Sequence, residues 1–189
     1  MTKIALFASG SGSNVENIAN YFTGNSDVTF TKVYCNKPDA FVLQRAQKLG
    51  IETRVFNKQE FSGSDTIIQE LKNEGTDLIV LAGFLWMIPV ALVQAFPNKI
   101  INIHPALLPK FGGKGMYGMH VHEAVVANKE TETGITIHYV NEHYDEGPAI
   151  FQASCEVLPT DTADDVAKKI HELEAEHFPK VIHQLVMSV

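Results

Sequence analysis

Cysteine is scarce, two in 189 residues. Cys35 and Cys155 lie far apart, each inside an apolar, strand-like run where a free thiol behaves as a small buried hydrophobe. That pattern points away from a disulfide-stapled scaffold and toward a reducing compartment, the cytoplasm. Positive charge is scarce too. The 15 Lys+Arg against 22 Asp+Glu leave a formal charge of −7 and a pI near 5.6, which speaks against a chain built to hold nucleic acid or an anionic membrane surface. An anionic ligand must then be met locally, by a few backbone amides or a helix start. Long apolar runs are missing as well. The run at residues 4–8 stops at Ser9-Gly10, short of the ~7–15 residues of a secretory h-region, so no targeting signal is expected. Residues 78–96 carry no charge and approach the ~18 residues of a membrane span. Gly83 and Pro89 nevertheless divide them into a strand-length run, an apolar loop and a short helix-like piece, and no membrane segment is expected.

What remains is 45% hydrophobic and 20% charged, enough for one domain over residues 1–189 to bury a core unaided. No repeat, low-complexity tract or linker interrupts it. Residues 3–8 read as a strand, followed by a Gly/Ser/Asn loop and then Val15, Ile18, Ala19 and Phe22 at helical spacing. The alternation recurs: strands at 28–35, 51–56, 77–82 and 100–103, with helices at 39–49, 65–74 and 89–96 between them. Such alternation predicts an α/β fold with a doubly wound, mostly parallel, Rossmann-like sheet. The last third differs, because 134–140 and 149–157 are joined by 141–148 without a helix, so an antiparallel hairpin extends the sheet. A long helix closes the chain, with Thr162 and Asp165 spaced as a capping box and Pro179 expected to kink or restart it.

In an open parallel sheet, ligands gather beyond the carboxyl ends of the strands, and four loops there hold residues a plain connector does not need. Ser9-Gly10-Ser11-Gly12-Ser13-Asn14 lies between a strand and a helix start and has the form of a phosphate cradle, or else a tight turn with Ser13 or Asn14 as helix cap. A dinucleotide fingerprint is disfavoured, since Val15 stands where a third glycine belongs, and no Gly-Lys-Ser/Thr marks a P-loop. Asn102 and His104 alternate along a strand and therefore share a face, with Pro105 holding His104 extended. An amide donor beside an imidazole suits oxyanion stabilisation with proton transfer, or a structural histidine beside a turn asparagine. Asp145, near Glu142 and Glu146, either pairs with His104, which would raise the histidine pKa, or belongs to a solvated turn. The apolar loop Gly83-Phe84-Leu85-Trp86-Met87-Ile88-Pro89 either docks a flat aromatic ligand or packs under its neighbours. His120 and His122 point to different faces of any helix, and no third ligand follows by spacing, so no metal is expected.

These residues resemble the folate-dependent formyltransferases, specifically the phosphoribosylglycinamide formyltransferases, over nearly the whole chain. The resemblance rests on Ser9-Gly10-Ser11-Gly12-Ser13-Asn14, Leu81-Ala82-Gly83-Phe84, Ile101-Asn102-Ile103-His104-Pro105-Ala106-Leu107-Leu108-Pro109 and Asp145-Glu146-Gly147-Pro148. It implies a formyltransferase that moves the formyl group of 10-formyltetrahydrofolate, a consumed co-substrate, to the amine of 5'-phosphoribosylglycinamide in purine synthesis. It further implies that Gly12, Ser13 and Asn14 hold the substrate phosphate and ribose, with Glu174 contacting the same substrate. Leu85, Trp86, Met87, Ile88 and Asn141, together with Asn102, would meet the folate, and Asn102, His104 and Asp145 would carry the chemistry. Partners would be small molecules, with a weak homodimer left open.

The chain also departs from the family pattern. Trp86 stands where relatives often have a basic residue, and no arginine opens the 65–74 region, which leaves Lys58 or Gln59 for the folate tail. Residues 112–118 are longer than expected, and their glycines suggest a mobile lid. Competing readings are a 10-formyltetrahydrofolate hydrolase, another formyltransferase acting on a small amine or on initiator tRNA, and a non-catalytic nucleotide-binding module or NAD oxidoreductase. The last leaves Asn102, His104 and Asp145 without a task.

Overall fold

A computed structural model describes residues 1–188. In chain order the elements are β1 (Thr2–Ala8), α1 (Ser13–Tyr21), β2 (Val28–Cys35), α2 (Val42–Lys48), β3 (Thr53–Val55), α3 (Lys58–Ser62) and α4 (Thr66–Glu74). Then follow β4 (Leu78–Leu81), α5 (Val90–Ala95), β5 (Ile100–His104), α6 (Met119–Ala127), β6 (Glu132–Tyr139), β7 (Ala149–Glu156) and α7 (Ala163–Met187). The strands form one seven-stranded sheet ordered β3-β2-β1-β4-β5-β6-β7. Pairing is parallel from β3 to β5 and antiparallel from β5 through β7, the doubly wound sheet with a terminal hairpin that the alternation predicted.

Two apolar layers flank the sheet, and the period-2 alternation of β1 feeds both. Ile4, Leu6 and Ala8 face the layer built with α1, α2 and α7. Ala5 and Phe7 face the layer built with α3, α4 and α5, where Phe7 stacks on Tyr34 at 4.8 Å. Both central faces are covered, so the strands of the parallel part read as unbroken apolar runs.

Several local expectations change. Gly12, not Ser13 or Asn14, caps α1; it adopts φ +77 and has no side chain to cap with, while the Asn14 side chain bonds Glu174. The 39–49 helix contracts to Val42–Lys48, since Ala40 N–H closes a turn on the Lys37 carbonyl. Two helices escaped the periodicity reading. One is α3, which is five residues long and is held by a capping box between Asn57 and Glu60. The other is α6, which buries Val121, His122 and Val125. The capping box of α7 forms as expected, but the helix runs without restarting through Pro179, which is buried beside Phe178, Val181 and Ile182. Burial of that apolar stripe offsets the one backbone donor that proline lacks. Among the described residues no helix is long and apolar enough to cross a membrane: residues 78–96 split into β4, a loop and α5.

Candidate active site

The floor of the cleft is the end of β5. Asn102 and His104 share one face, and in the ladder with β6 they oppose His138 and Thr136 respectively. Thr136 is fully buried and fastens the chain beyond the strand. Its hydroxyl donates to the Ala106 carbonyl at 2.7 Å and accepts from Leu108 N–H at 3.0 Å. The chain following His104 is thereby tied to the sheet.

His104 is buried, and its Nε2 lies 2.7 Å from the Phe111 carbonyl. A carbonyl only accepts, so Nε2 carries a proton and Nδ1 is the nitrogen left to exchange one. Nδ1 faces Asp145 Oδ2 at 3.6 Å, with both side chains under a tenth exposed. The same Oδ2 accepts from Gly113 N–H at 2.9 Å, while Oδ1 lies 3.7 Å from His138 Nε2. Asp145 is thus enclosed between two imidazoles, and the solvated-turn reading holds only for its exposed neighbours Glu142 and Glu146. Phe111 and Asp145 both adopt positive φ, 56 and 54, a conformation that costs a non-glycine residue ~1–3 kcal/mol and concentrates at functional sites. Their conformations bring the Phe111 carbonyl to His104 and the Asp145 carboxylate between the two rings.

A cavity of about 380 Å³ opens above this floor. Gly12, Ser13 and Asn14 form one wall, with Gly12 buried and Ser13 exposed. Glu174 and His171 of α7 and His122 of α6 line the same cavity. Asn14 Nδ2 donates to Glu174 Oε2 at 3.1 Å. Burial pushes the Glu174 carboxyl above the usual carboxylate range, against the opposing pull of the Asn14 hydrogen bond and of His171. Burial likewise holds His122 below the usual imidazole range, reinforced by His171 and His104; its Nδ1 is buried without a hydrogen-bond partner. Within this lining, among the described residues, Lys114 is the one Lys or Arg. It comes from the glycine-rich 112–118 loop, of which residues 113–118 line the cavity.

The apolar loop packs under its neighbours with some side chains and leaves others open, because its side chains alternate. Phe84 and Trp86 turn inward onto Phe56 and Phe61, whereas Leu85 and Met87 are exposed. Leu85 lines the main cavity. Trp86, Met87 and Ile88 line a side pocket of about 60 Å³ whose other wall includes Asn141 and His138. The two spaces share Phe84, Asn102, Tyr144 and Asp145. Asn141 Oδ1 also accepts from His143 N–H at 2.9 Å, which shapes the loop. Lys58 Nζ lies 4.9 Å from the Trp86 ring centroid, while Gln59 is spent on the Gly63 carbonyl. Lys58 is therefore the available cation beside Trp86. His120 is exposed and pairs with Glu123, away from buried His122.

The formyl transferase family model matches residues 2–182. The chain belongs to that family. It is 41% identical over 188 residues to the chloroplastic phosphoribosylglycinamide formyltransferase of Arabidopsis thaliana, covering 95% of this chain and 64% of the relative. This chain thus spans a little under two thirds of that plant protein. With the phosphoribosylglycinamide formyltransferase of Bacillus subtilis it shares 38% identity over 191 residues, covering 98% of this chain and 95% of the relative. The crystal structure of the enzyme of that name from Anaplasma phagocytophilum superposes with a TM-score of 0.90 at 34% identity, covering 98% of this chain and 87% of the other. In this family member, the sequence reading passed over His138, Thr136, His171, Lys114 and the Phe111 carbonyl. His138 carries a partial sequence signal, since it alternates with Thr136 along the 134–140 strand; its place beside Asn102, like that of the others in the cleft, comes only from tertiary placement.

Proposed function

We propose that residues 1–189 form one domain that transfers the formyl group of 10-formyltetrahydrofolate to the amine of 5'-phosphoribosylglycinamide in purine synthesis. Val189 lies outside the described residues. The observation that carries this reading is the shared cleft. A helix start with close-approaching backbone at Gly12–Asn14 and the group Asn102, His104 and Asp145 face the same 380 Å³ space. An exposed apolar edge, Leu85 and Met87, lies alongside. The names of the relatives agree with it.

In this reading the ribonucleotide phosphate rests on the start of α1, with Lys114 bringing a positive charge to the same cavity, and Glu174 receives hydrogen bonds from the substrate beside Asn14. The folate ring enters beside Asn102, against Met87, Ile88 and Asn141. The 60 Å³ side pocket is well below the ~300–1,000 Å³ of ligand sites, so the ring takes part of the main cavity or displaces exposed Met87 and Tyr144. The amine attacks the formyl carbon. Asn102 Nδ2 and protonated His104 Nδ1 donate to the developing oxyanion, while Asp145 Oδ2 balances the imidazolium. The new C–N bond forms, the C–N10 bond breaks, and the proton leaving the amine reaches N10 through the His104–Asp145 pair. The residues present suffice for these steps without a metal, and we take the formyl donor as a substrate consumed in each turnover. The two free cysteines, Cys35 and Cys155, support a reducing compartment, which we take as the cytoplasm. The charge of −7 supports small-molecule substrates, not nucleic acid. A weak homodimer is compatible with this site, which draws on one chain.

The test follows release of deformylated folate by absorbance, with and without the ribonucleotide. Release that depends on the ribonucleotide is expected. Equal release without it would assign the chain to hydrolysis and overturn the transferase reading.

A further inference from the structure

An asparagine amide has two nearly isosteric orientations, one offering N–H donors and one a carbonyl oxygen, and only the first helps a developing oxyanion. Something must select between them at Asn102. Directly across the β5–β6 ladder lies His138, which is buried to 2% exposure. Its Nδ1 is 2.9 Å from the Tyr139 carbonyl, an acceptor, so the neutral ring carries its proton on Nδ1. Nε2 is then a bare lone pair, and it lies 3.2 Å from Asn102 Nδ2. Asp145 Oδ1, at 3.7 Å from Nε2, is beyond hydrogen-bond distance and leaves that lone pair to the amide.

We infer that His138 is a positioning residue for formyl transfer: an imidazole locked in one tautomer by the Tyr139 carbonyl, it fixes the Asn102 amide with its NH2 inward. One amide hydrogen goes to His138 Nε2. The second is left for the oxyanion, and the carbonyl oxygen is turned away from it. His138 lines the side pocket, not the main cavity, and so acts through Asn102. Desolvation holds its imidazole below the ordinary range, which keeps the lone pair present at neutral pH; a doubly protonated ring would offer Asn102 a donor and reverse the amide. The inference rests on the proposed formyl transfer.

The experiment begins with the unmodified chain, whose failure to turn over with the ribonucleotide would count against the proposed function. His138→Phe keeps the ring and removes both nitrogens. It is expected to lower kcat by ~10–100-fold, less than the ~10²–10³-fold of deleting an oxyanion donor, with KM for both substrates within about threefold. His138→Gln, whose amide oxygen reaches the Nε2 position, is expected to recover most of the loss. In an Asn102→Ala background, His138→Phe is expected to cost under about threefold, because the group it orients is gone. An equal loss in both backgrounds, or no rescue by glutamine, would overturn the inference. Nitrogen-15 spectra of the histidine rings provide an arm independent of turnover. They are expected to show the Nδ1–H tautomer for a signal that disappears in His138→Gln; an Nε2–H tautomer or an imidazolium at neutral pH would overturn the inference even in an active enzyme.

Discussion

At the scale of single residues, the site divides its labour by what each group can reach. His104 offers one free nitrogen because the Phe111 carbonyl occupies the other, so the proposed proton transfer is confined to Nδ1. His104→Ala is expected to cut kcat by ~10²-fold or more with a smaller change in KM, measured in steady-state assays; full activity would remove His104 from the chemistry. Glu174 has a different cost. Its folded carboxyl titrates above the unfolded value, so its contribution to stability is present below the unfolded carboxylate range and is lost as pH rises through the folded value. At pH 7.5, above the unfolded carboxylate range, burial of this carboxyl therefore counts against the folded chain. Glu174→Gln keeps an acceptor for Asn14. It is expected to melt about 2–4 °C higher at that pH, about 1 kcal/mol for a chain of this size, while binding the ribonucleotide about tenfold more weakly or worse. Calorimetry on one sample reads both effects. Asn102 and His104 were legible in the sequence because strand alternation alone places them together. Asp145 was not separable from Glu142 and Glu146 by spacing, only by the family resemblance, because its place depends on how the 141–148 loop meets β5.

At the scale of elements, the turn between β1 and α1 is where packing fixes backbone shape at the proposed phosphate site. Gly12 holds φ +77, and a Cβ there would come within 2.7 Å of Val42 Cβ on α2. Gly12→Ala thus meets a strained conformation and a packed neighbour together. A loss of ~2–3 kcal/mol and a drop in ribonucleotide affinity beyond ~10-fold are expected, with binding of the folate partner retained. Titrating each ligand separately checks the split, and an equal loss for both would place the damage in the whole fold. The same packing explains why the helix start was misread. Ser13 and Asn14 look like caps in sequence, but α2 presses glycine into that position and Glu174, 160 residues away in sequence, claims the asparagine. Helices α3 and α6 were hidden for separate reasons. The first is one capped turn. The second carries buried His122 where an apolar residue would have marked the stripe.

At the scale of the whole molecule, the β5–β6 boundary, where parallel pairing gives way to antiparallel, brings Asn102, His104, Thr136 and His138 onto one face. Alternation of elements made that architecture readable, since helices between apolar runs demand parallel strands and a short loop demands a hairpin. The register across the boundary was not readable, and so the pairing of Asn102 with His138 emerged only in three dimensions. Both His122 and His138 titrate below the ordinary imidazole range because they are buried. The unfolded chain then binds more protons near pH 6.5. Their contribution to stability is complete above that pH and is lost as pH falls through their folded values. His122→Phe is expected to lose less melting temperature than the parent between pH 7.5 and 5.5; a parallel decline in both proteins would remove His122 as a source of acid lability.

The proposed reaction stands on one cleft that joins a candidate phosphate cradle to an amide, an imidazole and a carboxylate, and it requires the formyl carbon to finish on the bound amine. Carbon-13 spectra of a reaction started with formyl-labelled 10-formyltetrahydrofolate and the ribonucleotide follow that carbon directly. The account predicts the label in the N-formyl amide of the ribonucleotide; label recovered as free formate at the same rate with or without the ribonucleotide would contradict it.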